Sequence, residues 1–279
     1  MRLFFRNANA RLLWGLGLTA FFAFLGFVVY FFPHENPFTY NTYPRQLPPS
    51  WDHLLGTTSL GQDIFWLLIE GIHNSLVIGL LVALIGTVVG VLVGLMSGFA
   101  GGIVDRILML ITDTFVVIPS LPILILMTAL MKGTMTTYAM AFVLALFAWA
   151  WPSRQVRSQA LSLKERDFIN TARFSGEGAW QIVVTEILPY VLSWSLSNFM
   201  NATLAAIASE SSLAVLGLSP ANLISLGNII NWARQRNAIF TQQWYWIGSP
   251  IVTTVILFVG LFLLITGYND YTAKQRGRL

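Results

Sequence analysis

Two acids stand inside otherwise apolar runs of this 279-residue sequence, Asp113 and Glu210. A carboxylate at mid-bilayer costs about 2.5–3.5 kcal/mol on insertion scales, so it faces a bundle interior or a wet cavity. Each acid therefore reads in one of two ways. It either belongs to a gate or translocation path, or it is a paired carboxylate that pins helices together. Arg106 lies two helical turns before Asp113 on the same face and reaches it only through long side chains. Pro119 and Pro122 fall a few residues further on. Each removes a helix donor and clashes with the preceding turn, which predicts a kink or local unwinding near Ser120, as a hinge or as a static bend.

The remaining reactive side chains form no catalytic constellation. His34, His53 and His73 lack metal-ligand spacing. There is no cysteine, which excludes disulfides and thiolate metal sites. No lysine completes a phosphate-binding Gly-x-x-x-x-Gly-Lys-Ser/Thr loop. No nucleophile elbow occurs, and the basic residues offer no interleaved aromatic platform for nucleic acid. The expectation is a chain that is not an enzyme, binds no cofactor or metal of its own and has no nucleic-acid partner.

What must position these groups is a lipid-embedded helix bundle. Hydrophobic residues make up 56% of the chain and charged residues only 10%, against about 25% charged in a soluble domain. A span needs about 20 apolar residues. Six stretches qualify or nearly so, at 12–32, 75–99, 107–131, 136–151, 190–216 and 246–268. The fourth is short and predicts a helix continuing past Pro152 into the aqueous phase. Uninterrupted runs such as 76–93 lack the period-two alternation of a membrane barrel. The fold class is thus all-α, a polytopic bundle of about six transmembrane helices. Arg2, Arg6 and Arg11 before the first run resemble a signal peptide. The run exceeds the usual ~7–15 residues and no small-x-small site follows, so a retained first helix is expected.

Lysine and arginine set the orientation. With the N-terminus inside, the inner segments hold Arg2, Arg6, Arg11, Arg106, Arg154, Arg157, Lys164, Arg166, Arg173, Lys274, Arg276 and Arg278. The outer ones hold Arg45, Lys132, Arg234 and Arg236. Twelve against four places both termini and the loop 153–187 in the cytoplasm. Segments 33–74 and 217–245 then lie outside. Gly86, Gly90, Gly94 and Gly98, with Ala83 ahead of them, form a four-residue ladder on one helix face. Such a ladder lets a second helix approach closely, which is ordinary bundle packing.

The loop 163–189 is the most informative region. Ile169, Ala172 and Gly176 fall on one stripe with Phe168 beside it, and charged residues cover the rest. This predicts a short amphipathic helix stopped by a left-handed turn at Gly176. A second short helix leads to Pro189, where the fifth span begins. A helix–Gly–helix element reads as a docking knob, with Ala172 small enough to enter a partner's groove, or as a helix lying on the membrane surface.

Asn170-Thr171-Ala172, Gly176 and Leu188-Pro189 are similar to the Glu-Ala-Ala-x-x-x-Gly-x9-Ile-x-Leu-Pro loop of bacterial and archaeal ABC importer permeases, departing at Asn170, Thr171 and Glu186. Other stretches resemble one branch, the dipeptide/oligopeptide/nickel permeases and their C-type subunit. Leu54-Leu55-Gly56-Thr57-Thr58-Ser59-Leu60-Gly61-Gln62-Asp63 resembles His-x-Leu-Gly-Thr-Asp-x-x-Gly-Arg-Asp, departing at Thr58 and Gln62. Gly71-Ile72-His73-Asn74-Ser75-Leu76 resembles Gly-Ala-Arg-x-Ser-Leu. Phe99-Ala100-Gly101-Gly102-Ile103-Val104-Asp105 resembles Tyr-x-Gly-Gly-x-x-Asp. Residues 210–218 resemble Glu-Ala-x-Leu-Ser-Phe-Leu-Gly-Leu-Gly, and Leu226-Gly227-Asn228-Ile229-Ile230 the Trp-Gly-x-Met-Leu that follows.

The resemblance implies a type I ABC importer permease fold in a prokaryotic inner membrane. An N-terminal helix and extracytoplasmic loop would occupy 1–70 and a five-span permease core 71–279. It implies a homologous second permease, two ATP-binding subunits carrying ATP and Mg, and an extracytoplasmic substrate-binding protein. The coupling residues it implies are Asp167, Asn170, Thr171, Ala172, Arg173, Gly176, Leu188 and Pro189; Asp113, Pro119, Pro122 and Glu210 stand as gating or path residues. Peptides are the branch's commonest substrate, with nickel and β-linked oligosaccharides in some members. The 10 tryptophans fit sugar stacking or interfacial aromatic belts equally. The rival reading is an ATP-independent secondary transporter, which would be expected to show paired broken helices in two halves; no repeat of that kind is evident.

Overall fold

The computed structural model describes residues 9–131, 136–220 and 222–276. Helix α1 (Ala10–Phe27) opens at Asn9, whose side chain accepts from the Leu12 amide, and ends in a 3-10 turn at Val29–Phe31. Helix α2 (Ile64–Ala100) is capped by Asp63, which accepts from the Phe65 and Trp66 amides. Then come α3 (Gly102–Val117), α4 (Ser120–Leu130), α5 (Thr137–Ala148) and α6 (Ala150–Lys164). The short helices α7 (Asp167–Phe174) and α8 (Ala179–Ile182) lead through a π turn at Val183–Ile187 into α9 (Leu188–Val215). Helices α10 (Leu226–Gln235) and α11 (Trp244–Arg276) complete the chain. Among the described residues the only strand-like pairing is an isolated bridge between Thr57 and Asp63.

The protein is an all-α membrane bundle. Among the described residues, four continuous helical segments are long and apolar enough to span, Ala10–Phe31, Ile64–Ala100, Ala179–Val215 and Trp244–Lys274. The pair α3 and α4 makes a fifth if counted as one span; the two are bent by 79°. Helix α5, at 12 residues, is too short alone. It runs through Trp149 directly into α6, which is the continuation expected beyond the fourth stretch.

Three sequence-based boundaries need correction. The second span begins at Ile64, so the expected domain boundary at residue 70 falls inside α2. At 37 residues α2 is about 55 Å long, more than the hydrocarbon core requires. The third stretch is two helices, broken at Ile118–Pro119, which is the kink expected near Ser120. Pro119 caps α4, whereas Pro122 sits in its first turn, where the missing donor would have had no intrahelical partner. The fifth span starts not at Pro189 but at Ala179, because the π turn carries the helix through without a break.

Helix α2 is the axis of the bundle and its glycine ladder is the contact. A Cβ at Gly86 would lie 2.8 Å from Ala148 Cβ, one at Gly90 2.9 Å from the Trp149 carbonyl and one at Gly94 2.6 Å from the Ser153 carbonyl. One at Gly98 would lie 2.9 Å from the Arg157 carbonyl. The end of α5 and the length of α6 therefore rest backbone to backbone on α2. Helices α1 and α11 pair antiparallel, with Gly15 against Leu264 and Gly267 against Leu12. Asn9 and Arg11 reach Asp270 at 3.1 and 3.4 Å. The start of α1 and the end of α11 thus lie at one end of the bundle.

Candidate functional site

Helix α7 is short and its sequence explains both ends. Asp167 in its first turn and Arg173 in its last complement the helix dipole. At the C-terminus the Gly176 amide donates to the Arg173 carbonyl at 3.0 Å and the Glu177 amide to Ala172 at 3.1 Å. This is a Schellman closure, and it needs the left-handed φ of +83° that Gly176 supplies. A side chain at Gly176 would meet open space, so this glycine serves the turn and not the packing stripe.

The two faces of α7 differ sharply. Ile169 and Ala172 are buried in one cluster with Val156, Ala160, Ile182 and Ile187. Phe168 stacks on Tyr190 with ring centroids 5.4 Å apart. Ala172 is 7% exposed, so its small side chain fits this chain's own core; the expected entry of Ala172 into a partner's groove is corrected accordingly. The outward face carries Asp167, Asn170, Thr171, Arg173 and Phe174. Phe174 is 93% exposed and neighbouring Trp180 69%. Leu188 packs beside the same buried cluster, and Pro189 is exposed.

The π turn before α9 has a local cause. Pro189 has no amide hydrogen and its ring crowds the carbonyl four residues back. The helix widens, and the Leu188 amide donates to Val183, five residues back. A second device holds the junction of α2 and α3. Asp105 accepts two hydrogen bonds from Arg157 on α6, at 2.6 and 2.7 Å, and one from Ser97. Lys164 donates to the Phe99 carbonyl at 2.7 Å and lies 5.5 Å from the centre of the Phe99 ring. These tie the foot of α2 to α6, the helix that leads into α7. Sequence reasoning matched Asp105 to a motif without assigning it a partner. Arg157 lies 52 residues away, and no local spacing connects the two.

The remaining expected residues do not assemble with α7 or with each other. Asp113 pairs with Arg154 at 2.6 Å, not with Arg106, and both members are substantially exposed. The turn from α5 into α6 brings Arg154 across to α3, whereas two turns of α3 separate Arg106. Glu210 is fully buried near the opposite end of α9. It accepts a 2.6 Å hydrogen bond from Ser225, the residue whose hydroxyl also caps α10 by accepting from the Asn228 amide. Around it Leu226 donates its amide to Ser75 at 3.2 Å, and Asn228 donates its Nδ2 to Leu223 at 2.7 Å. Residues 222–235 are thus folded into the bundle by polar contacts and are not a loose outer loop. Pro119 and Pro122 flank Ser120, which opens on a cleft beside α9.

With this geometry in hand, comparison with known proteins is informative. Residues 86–276 match a family described as binding-protein-dependent transport system inner membrane component. Over 185 residues the chain is 34% identical to the oligopeptide transport system permease protein OppC of Mycobacterium tuberculosis, a match covering 66% of this chain and 63% of that protein. This chain therefore spans less than two thirds of the mycobacterial relative's length. Over 248 residues it is 27% identical to the protein of the same name from Lactococcus lactis subsp. cremoris, covering 88% of this chain and 84% of that one. The family match contains the glycine ladder, the α7–α8 loop and α9.

Proposed function

Because this chain belongs to the family of binding-protein-dependent transport system inner membrane components, we propose that it is the C-type permease subunit of an ATP-driven peptide importer. The relatives' names, oligopeptide transport permeases, support the substrate class. In this reading a homologous permease completes the translocation path, two ATP-binding subunits hold ATP and Mg, and a binding protein delivers substrate from outside. Both termini and α7 lie in the cytoplasm.

One observation carries the reading. Helix α7 is anchored by Ile169 and Ala172 in the core and offers Asn170, Thr171, Arg173 and Phe174 outward. A large aromatic so exposed beside polar side chains is the composition of an interface anchor. Its root reaches α6 and α9 through one buried cluster, so a push on α7 moves both helices. Binding energy from the ATPase can then favour one arrangement of the permease pair over the other, as a population shift requires.

The test replaces outward residues and leaves the root intact. Phe174→Ala and Thr171→Arg should insert and pair with the second permease. The pull-down of ATPase subunits from detergent should fall about tenfold or more, as for loss of an interface anchor. Peptide-stimulated hydrolysis in proteoliposomes should fall with it. Full retention of both by Thr171→Arg would reject α7 as the docking element and favour an ATP-independent transporter.

A further inference from the structure

A cavity of about 190 Å³ lies at the end of the bundle where α11 begins, the end that the charge pattern predicts to be outside. Its walls include Phe38 and Tyr40 of segment 33–63, Trp232 of α10, Arg236 just after α10 and Trp246 in the first turn of α11. Gln62 also lines it and fixes the cover. It is 4% exposed, and its Nε2 donates to the Pro37 carbonyl at 2.6 Å. Phe38 meets Trp232 edge to face, with ring centroids 6.2 Å apart. The walls are thus tied across three parts of the chain before anything enters.

Trp246 supplies an independent sign of an occupant. It is 1% exposed, and its indole Nε1 is buried without a hydrogen-bond partner among the described residues. An indole N–H only donates, and a buried tryptophan usually finds an acceptor for it. Leaving it unpaired is costly. Arg236 is exposed, and its guanidinium enters no ion pair among the described residues. Both groups call for an acceptor, and no Asp or Glu lines the cavity among the described residues.

We propose that this cavity binds the C-terminal residue of a short peptide, with the α-carboxylate on Arg236 and Trp246 and the side chain among Phe38, Tyr40 and Trp232. The inference rests on the peptide-importer reading and adds to it a site on the outer face. The volume is below the about 300–1,000 Å³ of pockets for drug-sized ligands and suits a single residue. A carboxylate only accepts, so it matches two donors, and its bond to a guanidinium is charge-assisted. The same lining disfavours a peptide's N-terminus, because an ammonium only donates and meets no acid there. An aspartate or glutamate side chain of another protein would satisfy the donors and leave the aromatic walls unused.

The chain's lack of cysteine makes the experiment clean. Gln235→Cys, at an exposed position on the cavity wall, is assembled with the second permease and the ATPases in proteoliposomes. Its labelling by an impermeant thiol reagent is followed with N-acetylated alanine peptides ending in phenylalanine, as the free acid or the amide. The free acid should slow labelling severalfold. The amide should need about tenfold more peptide for the same protection, the loss of one charge-assisted hydrogen bond. Arg236→Gln changes an exposed residue and leaves the buried walls intact; combined with Gln235→Cys it should erase the difference between acid and amide. Equal protection by acid and amide, no protection by either (which leaves water as the indole's partner), or an acid preference that survives Arg236→Gln would each overturn the proposal. Protection by the binding protein free of peptide would also overturn it and make the cavity a docking surface. Peptide uptake by the unmodified complex tests the importer reading separately. Uptake without protection removes only the site, whereas absence of both removes the importer reading with it.

Discussion

Glu210 shows what a single acid does when water cannot reach it. Its Oε1 is held by Ser225, and its Oε2 has no partner among the described residues. Since the same Ser225 caps α10, the acid fastens α10 to α9 and acts as a pin. Glu210→Ala would leave the buried Ser225 O–H without its acceptor, at about 1–3 kcal/mol, while the bond from the Asn228 amide to the same oxygen stays. It should therefore lower the thermal midpoint of the purified protein in detergent, while Glu210→Gln, which keeps an acceptor, should stay near the parent. Equal midpoints for Glu210→Ala and the parent would reject the pin. In the sequence the acid was legible as an anomaly, but its partner was not, because Ser225 lies beyond a turn that no periodicity marks. Asp113 teaches the same lesson. The nearest cation in the same helix, Arg106, was the candidate visible in sequence, and the tertiary fold chose Arg154.

At the scale of elements, periodicity was the reliable guide where packing is local. The Gly86–Gly98 ladder announced a close helix contact, though not that the partner would be α6. Gly94→Leu should force α2 and α6 apart, because even its Cβ would lie 2.6 Å from the Ser153 carbonyl. Gel filtration in detergent should show loss of the folded species. Gly17→Leu on α1, where a Cβ meets nothing within 4 Å, should leave the elution profile unchanged. The α7 turn was likewise readable, since an amphipathic stripe ending in glycine has one common closure. What the stripe did not reveal is which face is buried; Ala172 suits a groove in either direction, and the neighbours Val156 and Ile187 come from other helices.

For the whole molecule, the antiparallel clasp of α1 and α11 puts both ends of the described chain on one side, which agrees with an even number of crossings. The charge count predicts that this side is the cytoplasmic one. Cysteines at Ser50, Asn222 and Ser175, all exposed positions, should divide in intact cells: an impermeant thiol reagent should reach the first two and not the third. Labelling of S175C from outside would invert the orientation and with it the placement of α7. The same long-range view gives the π turn at Val183–Ile187 a meaning beyond its hydrogen bonds. A helix is a screw, and one residue more or less within a turn rotates everything beyond it by about 100°. The widened turn therefore sets the angular phase between the α7–α8 knob and the side chains of α9. Wound as an ordinary α-helix, the same sequence would aim those side chains about a quarter-turn away. Pro189, by denying one hydrogen bond, indexes the face of the screw.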